Sequence, residues 1–192
     1  MNAARRFAGI AIGMSLLAFA LPRAAYAQPS RGTAVIYPVV YVNDSGTYGA
    51  HRAAIDSLRL ALQNRGLALI SRQTAESEWS NLGYLMPSAL MPASHEEIVH
   101  FGRVLGADYV IQPVIDFHTR SIWVGLGPRT VSTALVSLRV TDTHTGNVVY
   151  RTRVRARSDQ HFTFLLGGPK TPREQRAVRI AMRRAIGGWT VS

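Results

Sequence analysis

Cysteine is missing from all 192 residues. That excludes disulfides, thiolate nucleophiles and cysteine-based metal sites. It also leaves no sulfur to which a bacterial lipid anchor is attached, so a lipoprotein is not expected. Lysine is nearly missing: Lys170 stands alone and every other basic residue is arginine. Acidic residues are scarce, 11 against 22 basic, for a formal charge of +11. No apolar run after residue 27 approaches the roughly 20 residues that a bilayer-crossing helix needs. Internal repeats and low-complexity tracts are absent too.

What is present begins with a leader. Arg5 and Arg6 open the chain, residues 7–21 are uncharged and mostly apolar, Pro22 breaks the run, and Ala25-Tyr26-Ala27 has the small-x-small form of a cleavage site. This pattern predicts a bacterial secretory signal peptide over residues 1–27. The remainder, 28–192, is long enough for one domain with a real core. An exported protein, periplasmic or associated with the outer membrane, is expected. With Arg5, Arg6 and Arg23 set aside, 19 basic residues face 11 acidic ones, a net of +8. A basic exported chain suits anionic partners such as lipid head groups, wall polymers or acidic protein faces. The same arginines equally suit a surface that is merely kept soluble. Nucleic acid is not expected outside the cell.

Patterning then gives the order of elements. Residues 33–42 form an almost wholly apolar strand with Pro38 inside it, a sign of a bulge or an edge. Ala54, Ile55, Leu58, Ala61 and Leu62 make one stripe of a helix over 50–65, and Gly66 caps it. A short strand at 67–70 follows, then a helix that Ser71 caps. Residues 80–93 are apolar but broken by Gly83, Pro87 and Pro92. Ser94 and Glu97 form a capping box before a helix that Gly106 closes. A third strand spans 109–117 and a Gly-rich connection leads on. Two alternating runs, 134–141 and 148–157, read as a hairpin. A last helix starts at Pro172 and ends at Gly187-Gly188. The expected fold class is α/β (α+β): a single-domain sandwich of a mixed β-sheet packed with three to four helices.

Two stretches carry a family resemblance. One is Val104-Leu-Gly-Ala-Asp-Tyr-Val-Ile111, the other Val140-Thr-Asp142-Thr-His-Thr-Gly146-Asn-Val-Val149. With the order of elements, they resemble the CsgG-like and TolB amino-terminal-domain-like family of bacterial cell-envelope proteins. That family includes the curli secretion lipoprotein and the lipoprotein activators of penicillin-binding proteins. The resemblance covers most of residues 33–187. It implies a non-enzymatic module that binds proteins or self-associates in the envelope. The missing cysteine departs from the lipoprotein members, and the chain is too short to add the spanning hairpins of the curli pore.

Enzymatic patterns fail on spacing. His95 and His100 are five apart, about 140° around a helix, whereas two metal ligands on one face need i and i+4. Gly167-Gly-Pro-Lys170-Thr171 places a proline where a phosphate loop needs a glycine N–H. Asp116 with His118, and Asp142 with His144, are close in sequence, and close spacing in sequence is not a triad. No catalytic residue, metal or cofactor is expected.

Two kinds of surface remain as partner-binding candidates. Arg151, Arg153, Arg155 and Arg157 share one face of a strand, and Arg139 on the preceding strand joins them. Such a stripe serves an anionic partner or protects an exposed edge from aggregation. The apolar loops contribute Tyr84, Leu85, Met86 and Met91, and Phe162 and Phe164. They either fold back on the core or form a patch for another chain. The last helix carries arginines on one side and Val178, Met182, Ala185 and Ile186 on the other, as expected for packing on a sheet. The leading expectation is an exported protein-binding or assembly module acting on an envelope protein or on itself. The alternatives are a binder of acidic envelope polymers or lipid head groups, and a hydrolase of an envelope polymer.

Overall fold

In the computed structural model, which describes residues 31–42, 48–124, 127–159 and 173–191, ten elements follow one another. They are β1 (Thr33–Ile36), β2 (Val40–Tyr41), α1 (Tyr48–Gln63), β3 (Ala68–Leu69), α2 (Arg72–Asn81), α3 (His95–Val104), β4 (Tyr109–Val124), β5 (Gly127–Asp142), β6 (Val148–Asp159) and α4 (Arg173–Gly187). The strands build one mixed sheet in the order β3-β1-β4-β5-β6, with β2 continuing alongside β4 after β1. β3, β1, β2 and β4 run parallel; β4, β5 and β6 form an antiparallel meander. This is the mixed α/β single domain that the patterning predicts.

Three expectations are adjusted. The strand over 33–42 is split in two, because Pro38 offers no N–H to the ladder. The third strand does not stop at 117: β4 and β5 are each 16 residues long and stay paired up to Val124 and Gly127. The residues read as connection include Thr119, Ile122, Trp123, Val124, Thr130 and Val131, whose branched and aromatic side chains favour the pleated sheet. Finally, α1 begins two residues earlier than expected and ends at Gln63, before Gly66 turns the chain at φ +80°. The expected helix start at Pro172 lies outside the described residues.

The sheet has helices on both faces. On one face α1 and α4 lie side by side, and Leu58, Leu62, Val178, Met182 and Ile186 are buried against Ile111, Val136, Leu138 and Val140. The apolar side of α4 thus packs on the sheet, as its stripe predicts. Arg65 ties these two helices together, donating to the carbonyls of Ala61 (2.8 Å), Ile186 (2.7 Å) and Trp189 (3.2 Å). It thereby bonds carbonyls in the last turns of α1 and α4 and one just beyond α4.

On the opposite face α2 and α3 enclose a smaller cluster of Val35, Tyr37, Trp79, Ile98, Phe101 and Val110. Trp79 meets Tyr37 and Phe101 edge-on, at centroid distances of 5.3 and 5.0 Å. The capping box is formed in both directions: Glu97 N donates to Ser94 Oγ and Ser94 N to Glu97 Oε2. Gly102 lets α3 lie close to the sheet, since a Cβ there would overlap Thr143 Cγ2 and Val110 Cγ2. Gly102→Ala is therefore expected to cost about 1–3 kcal/mol through overpacking, read by urea denaturation. An unchanged midpoint would show that α3 has room to shift.

The two motifs that carry the family resemblance hold each other. Asp108 accepts from Thr33 N (2.7 Å) and Thr33 Oγ1 (3.1 Å) and lies 2.7 Å from His144 Nε2. Thr143 donates through its N to the carbonyl of Asp108 and through its hydroxyl to that of Ala107. Asp142 Oδ1 accepts from the N–H groups of His144 and Thr145 and so shapes the turn, which Gly146 closes at φ +73°. Gly106-Ala-Asp108 and Asp142-x-x-x-Gly146 are thus two halves of one structural clip.

The His144 bond, and after it the Thr33 backbone bond, hold the Asp108 carboxyl below the usual carboxylate range. A carboxylate whose pKa is lowered by folding stabilises the fold above its unfolded pKa and stops doing so as pH falls through its folded one. Asp108→Asn is therefore expected to melt lower than the parent near neutral pH. The gap should close as the pH is taken down through the carboxylate range, followed by circular dichroism. A gap independent of pH would contradict the clip's electrostatic character.

Candidate functional site

The helices do not cover the two faces equally. α1 and α4 shield the first face as far as β6, where Tyr150 Oη donates to the carbonyl of Ala185 (2.7 Å). On the second face α2 and α3 pack over β1, the start of β4 and the Thr143 end of β5. Among the described residues, no helix packs over the rest of that face, on β5 and β6.

Alternation puts the arginines there. Along β6, Tyr150, Thr152, Val154 and Ala156 turn towards the helices, while Arg151, Arg153, Arg155 and Arg157 are exposed on the other side. Register sets them opposite Arg139, Ser137, Leu135 and Thr133 of β5. Arg139 thus joins the stripe directly across from Arg151, as the sequence predicts. Arg139 is half-buried and donates Nε to Gln112 Oε1 of β4 at 2.8 Å. Burial first, and then the charge of Arg151, pull its guanidinium below the ordinary arginine range. Among the described residues, Arg151, Arg153 and Arg155 have no carboxylate partner. β6 is also the edge strand of the sheet.

The loop between α2 and α3 stands beside this stripe. Its first residues are pinned: Trp79 Nε1 donates to the carbonyl of Leu85 (3.1 Å), Tyr37 Oη to Met86 Sδ (3.1 Å), and Tyr84 Oη meets His100 Nδ1 (2.6 Å). Tyr84 packs on the smaller core through Trp79. Ser88 and Met91 close the tip, with each backbone N–H of the pair held by the other residue. The large side chains nonetheless face outward: Leu90 is 93 % exposed, Leu85 79 %, Met86 66 % and Met91 65 %. The loop is thus fixed by its backbone and apolar at its surface.

Between loop and stripe runs a groove of about 570 Å³. Its floor crosses the sheet through Pro38 and Val40, Gln112 and Val114, Ser137 to Arg139, and Arg151 to Arg153. Pro87, Pro92 and Ala93 form the loop wall. The volume falls within the 300–1,000 Å³ usual for ligand sites. A second cavity, by Tyr37, Tyr41, Arg59 and Glu76, holds about 70 Å³, room for a few waters at most.

The solved structures add one firm point. Lipoprotein GNA1162 from Neisseria meningitidis superposes with a TM-score of 0.52 at 15% identity, over 71% of this chain and 90% of that one. The two proteins share a fold. The C-terminal domain of LpoB from Salmonella enterica aligns with a TM-score of 0.45 at 16% identity, over 68% of this chain and 86% of that domain. No family model and no curated protein matches the chain.

Of the sequence candidates, Arg139, Arg151 and Arg153 line the groove. Leu85, Met86 and Met91 belong to the loop beside it, Tyr84 is used in packing, and Arg155 and Arg157 extend the stripe along β6. Phe162 and Phe164 lie outside the described residues. Sequence reasoning missed the floor residues Gln112, Val114 and Ser137, because each reads as an ordinary position of an alternating strand. The histidines singled out earlier serve local contacts: His95 Nε2 lies 2.7 Å from the carbonyl of Gly146, and His118 Nε2 2.8 Å from Asp116 Oδ2. Asp108, partner of His144, and His118 are ten residues apart along β4, roughly 33 Å at a strand's rise. The two acid–histidine pairs therefore do not share a cleft.

Like charges directly opposite on neighbouring strands are destabilising. Replacing Arg151 by Thr, a strand former without charge, is expected to raise stability by about 0.2–1 kcal/mol. Thermal melts at low and high salt check this: the gain should shrink as salt screens the pair. A loss of stability would mean that the Arg139–Arg151 pairing is not under strain.

Proposed function

We propose that this chain is an exported, non-enzymatic cell-envelope module that binds another protein through the groove between the loop over 84–93 and the arginine stripe. One observation carries the reading: Pro87, Pro92 and Ala93 of the apolar loop and Arg139, Arg151 and Arg153 of the stripe line one ligand-sized concavity. Four supports stand beside it. The first 27 residues have the form of a secretory leader. Among the described residues, no helix is long and apolar enough to cross a membrane. The fold is shared with a bacterial lipoprotein. And the acid–histidine pairs lie too far apart to work on one substrate, which weighs against a hydrolase.

The carried charge favours recognition over edge protection alone. Blocking an edge needs charges on the edge strand itself, not on the strand inside it. Here a half-buried arginine, desolvated beside a like charge, extends the basic surface inward from the edge.

The test is a photo-crosslinking amino acid placed at position 153 of the full chain, expressed in a bacterium that exports it. A covalent adduct with an envelope protein is expected from 153, and none from position 179 on the outer side of α4. Absence of any adduct from 153, or retention of the chain in the cytosol with its leader uncut, would overturn the reading.

A further inference from the structure

The geometry points to a specific occupant of this groove: an extended acidic peptide segment of a partner protein, with apolar side chains against the proline wall and carboxylates against Arg139, Arg151 and Arg153. This inference rests on the binding-module reading and adds the chemistry of the ligand.

The walls differ in kind. Pro87, Pro92 and Ala93 bring apolar side chains to the loop side, and Leu90 and Met91 of the same loop are exposed. The sheet side presents three arginines, and none of the described residues lining the groove is acidic. Arg139 commits Nε to Gln112 and keeps both terminal amino groups unbonded among the described residues. Among the described residues, Arg151 and Arg153 have no side-chain hydrogen-bond or ion-pair partner. Guanidinium forks of this kind bind carboxylates in bidentate fashion. A ligand that satisfies both walls must carry apolar and acidic groups on one chain.

Shape narrows the class. The floor crosses four strands, β2, β4, β5 and β6. Three inter-strand spacings of about 4.8 Å give the floor a width of about 14 Å from loop side to stripe, room for one extended chain with side chains reaching to either side. A flat bilayer surface does not enter a concavity of this size. A uniformly polar anionic polymer leaves the proline wall and Val114 without a counterpart. An extended peptide alternates its side chains between two sides and so serves both walls at once.

The experiment uses fluorescence anisotropy with the purified full chain and a labelled hexapeptide alternating Glu with Leu. Two control peptides replace Glu by Gln, or Leu by Ser. Binding of the Glu-Leu peptide is expected to weaken at least about tenfold with each control, and to fall as salt is added. The double variant Arg151→Gln/Arg153→Gln should lose at least about tenfold, whereas Arg179→Gln/Arg183→Gln on α4 should change it less than about threefold. Circular dichroism confirms that both variants fold; their exposed side chains make that the expected result. Equal binding of the Gln peptide, or full binding by the stripe variant, would overturn the proposal. So would binding of polygalacturonate or phosphatidylglycerol vesicles without binding of the peptide. In each of these cases, a crosslink from position 153 to an envelope protein would leave the binding-module reading standing; loss of that crosslink is what removes the reading itself.

Discussion

Strand alternation in the β5–β6 hairpin is the constraint on which the rest depends. Ala134, Val136, Leu138 and Val140 must face α1 and α4 to close the larger core, and Val154 and Ala156 must do the same from β6. Because successive residues point to opposite faces, burying this set forces Arg139, Arg151, Arg153, Arg155 and Arg157 onto the other face. A slip of one residue would send the arginines into the core, at a desolvation cost far beyond anything the hairpin gains. The basic face is thus a necessary counterpart of the apolar one. The irregular step between Val140 and Thr141 lies beyond the stripe, next to the turn, and leaves that register intact.

The second constraint is the uneven second layer. α2 and α3 are ten residues each, against 16 and 15 for α1 and α4. Two short helices reach across β1 and the first part of β4 but not to the sheet's far edge. Their aromatic cluster is compact, and Gly102 allows α3 to settle low on the strands. The connection between them then stands at the margin of the covered area, with its backbone pinned by Trp79 and Ser88 and its leucines and methionines outside. Among the described residues, an apolar loop beside a basic face that no helix covers follows from these lengths. This is the arrangement expected of a preorganised site, where little ordering cost remains to be met on binding.

Much of the fold was legible in advance because its signals are local. The capping box of α3, the Ser71 cap of α2, the Gly66 and Gly106 helix ends and the Asp142–Gly146 turn all depend on residues within a few positions of one another. The strands were legible in outline, but the lengths of β4 and β5 were not. Each runs past the point where its own alternation weakens, because antiparallel pairing to the other satisfies the backbone along the whole hairpin. The motifs behind the family resemblance were legible as a helix end and a turn. Their joint use, with Asp108 bonded to His144 and Thr143 to the α3–β4 connection, was not, since 35 and 36 residues separate the partners.

The amino-acid order by itself determined which residues face in and which face out, where helices start and stop, and that a row of arginines lies on one strand face. These follow from periodicity, capping and turn chemistry, which act over a few bonds. Only the tertiary structure decided that Pro87 and Pro92 stand across from Arg139, Arg151 and Arg153, with Val114 and Ser137 as the floor between them. That meeting depends on how far two short helices extend over a sheet whose strands come from distant parts of the chain. Packing of this kind is a property of the whole domain, and no local pattern encodes it.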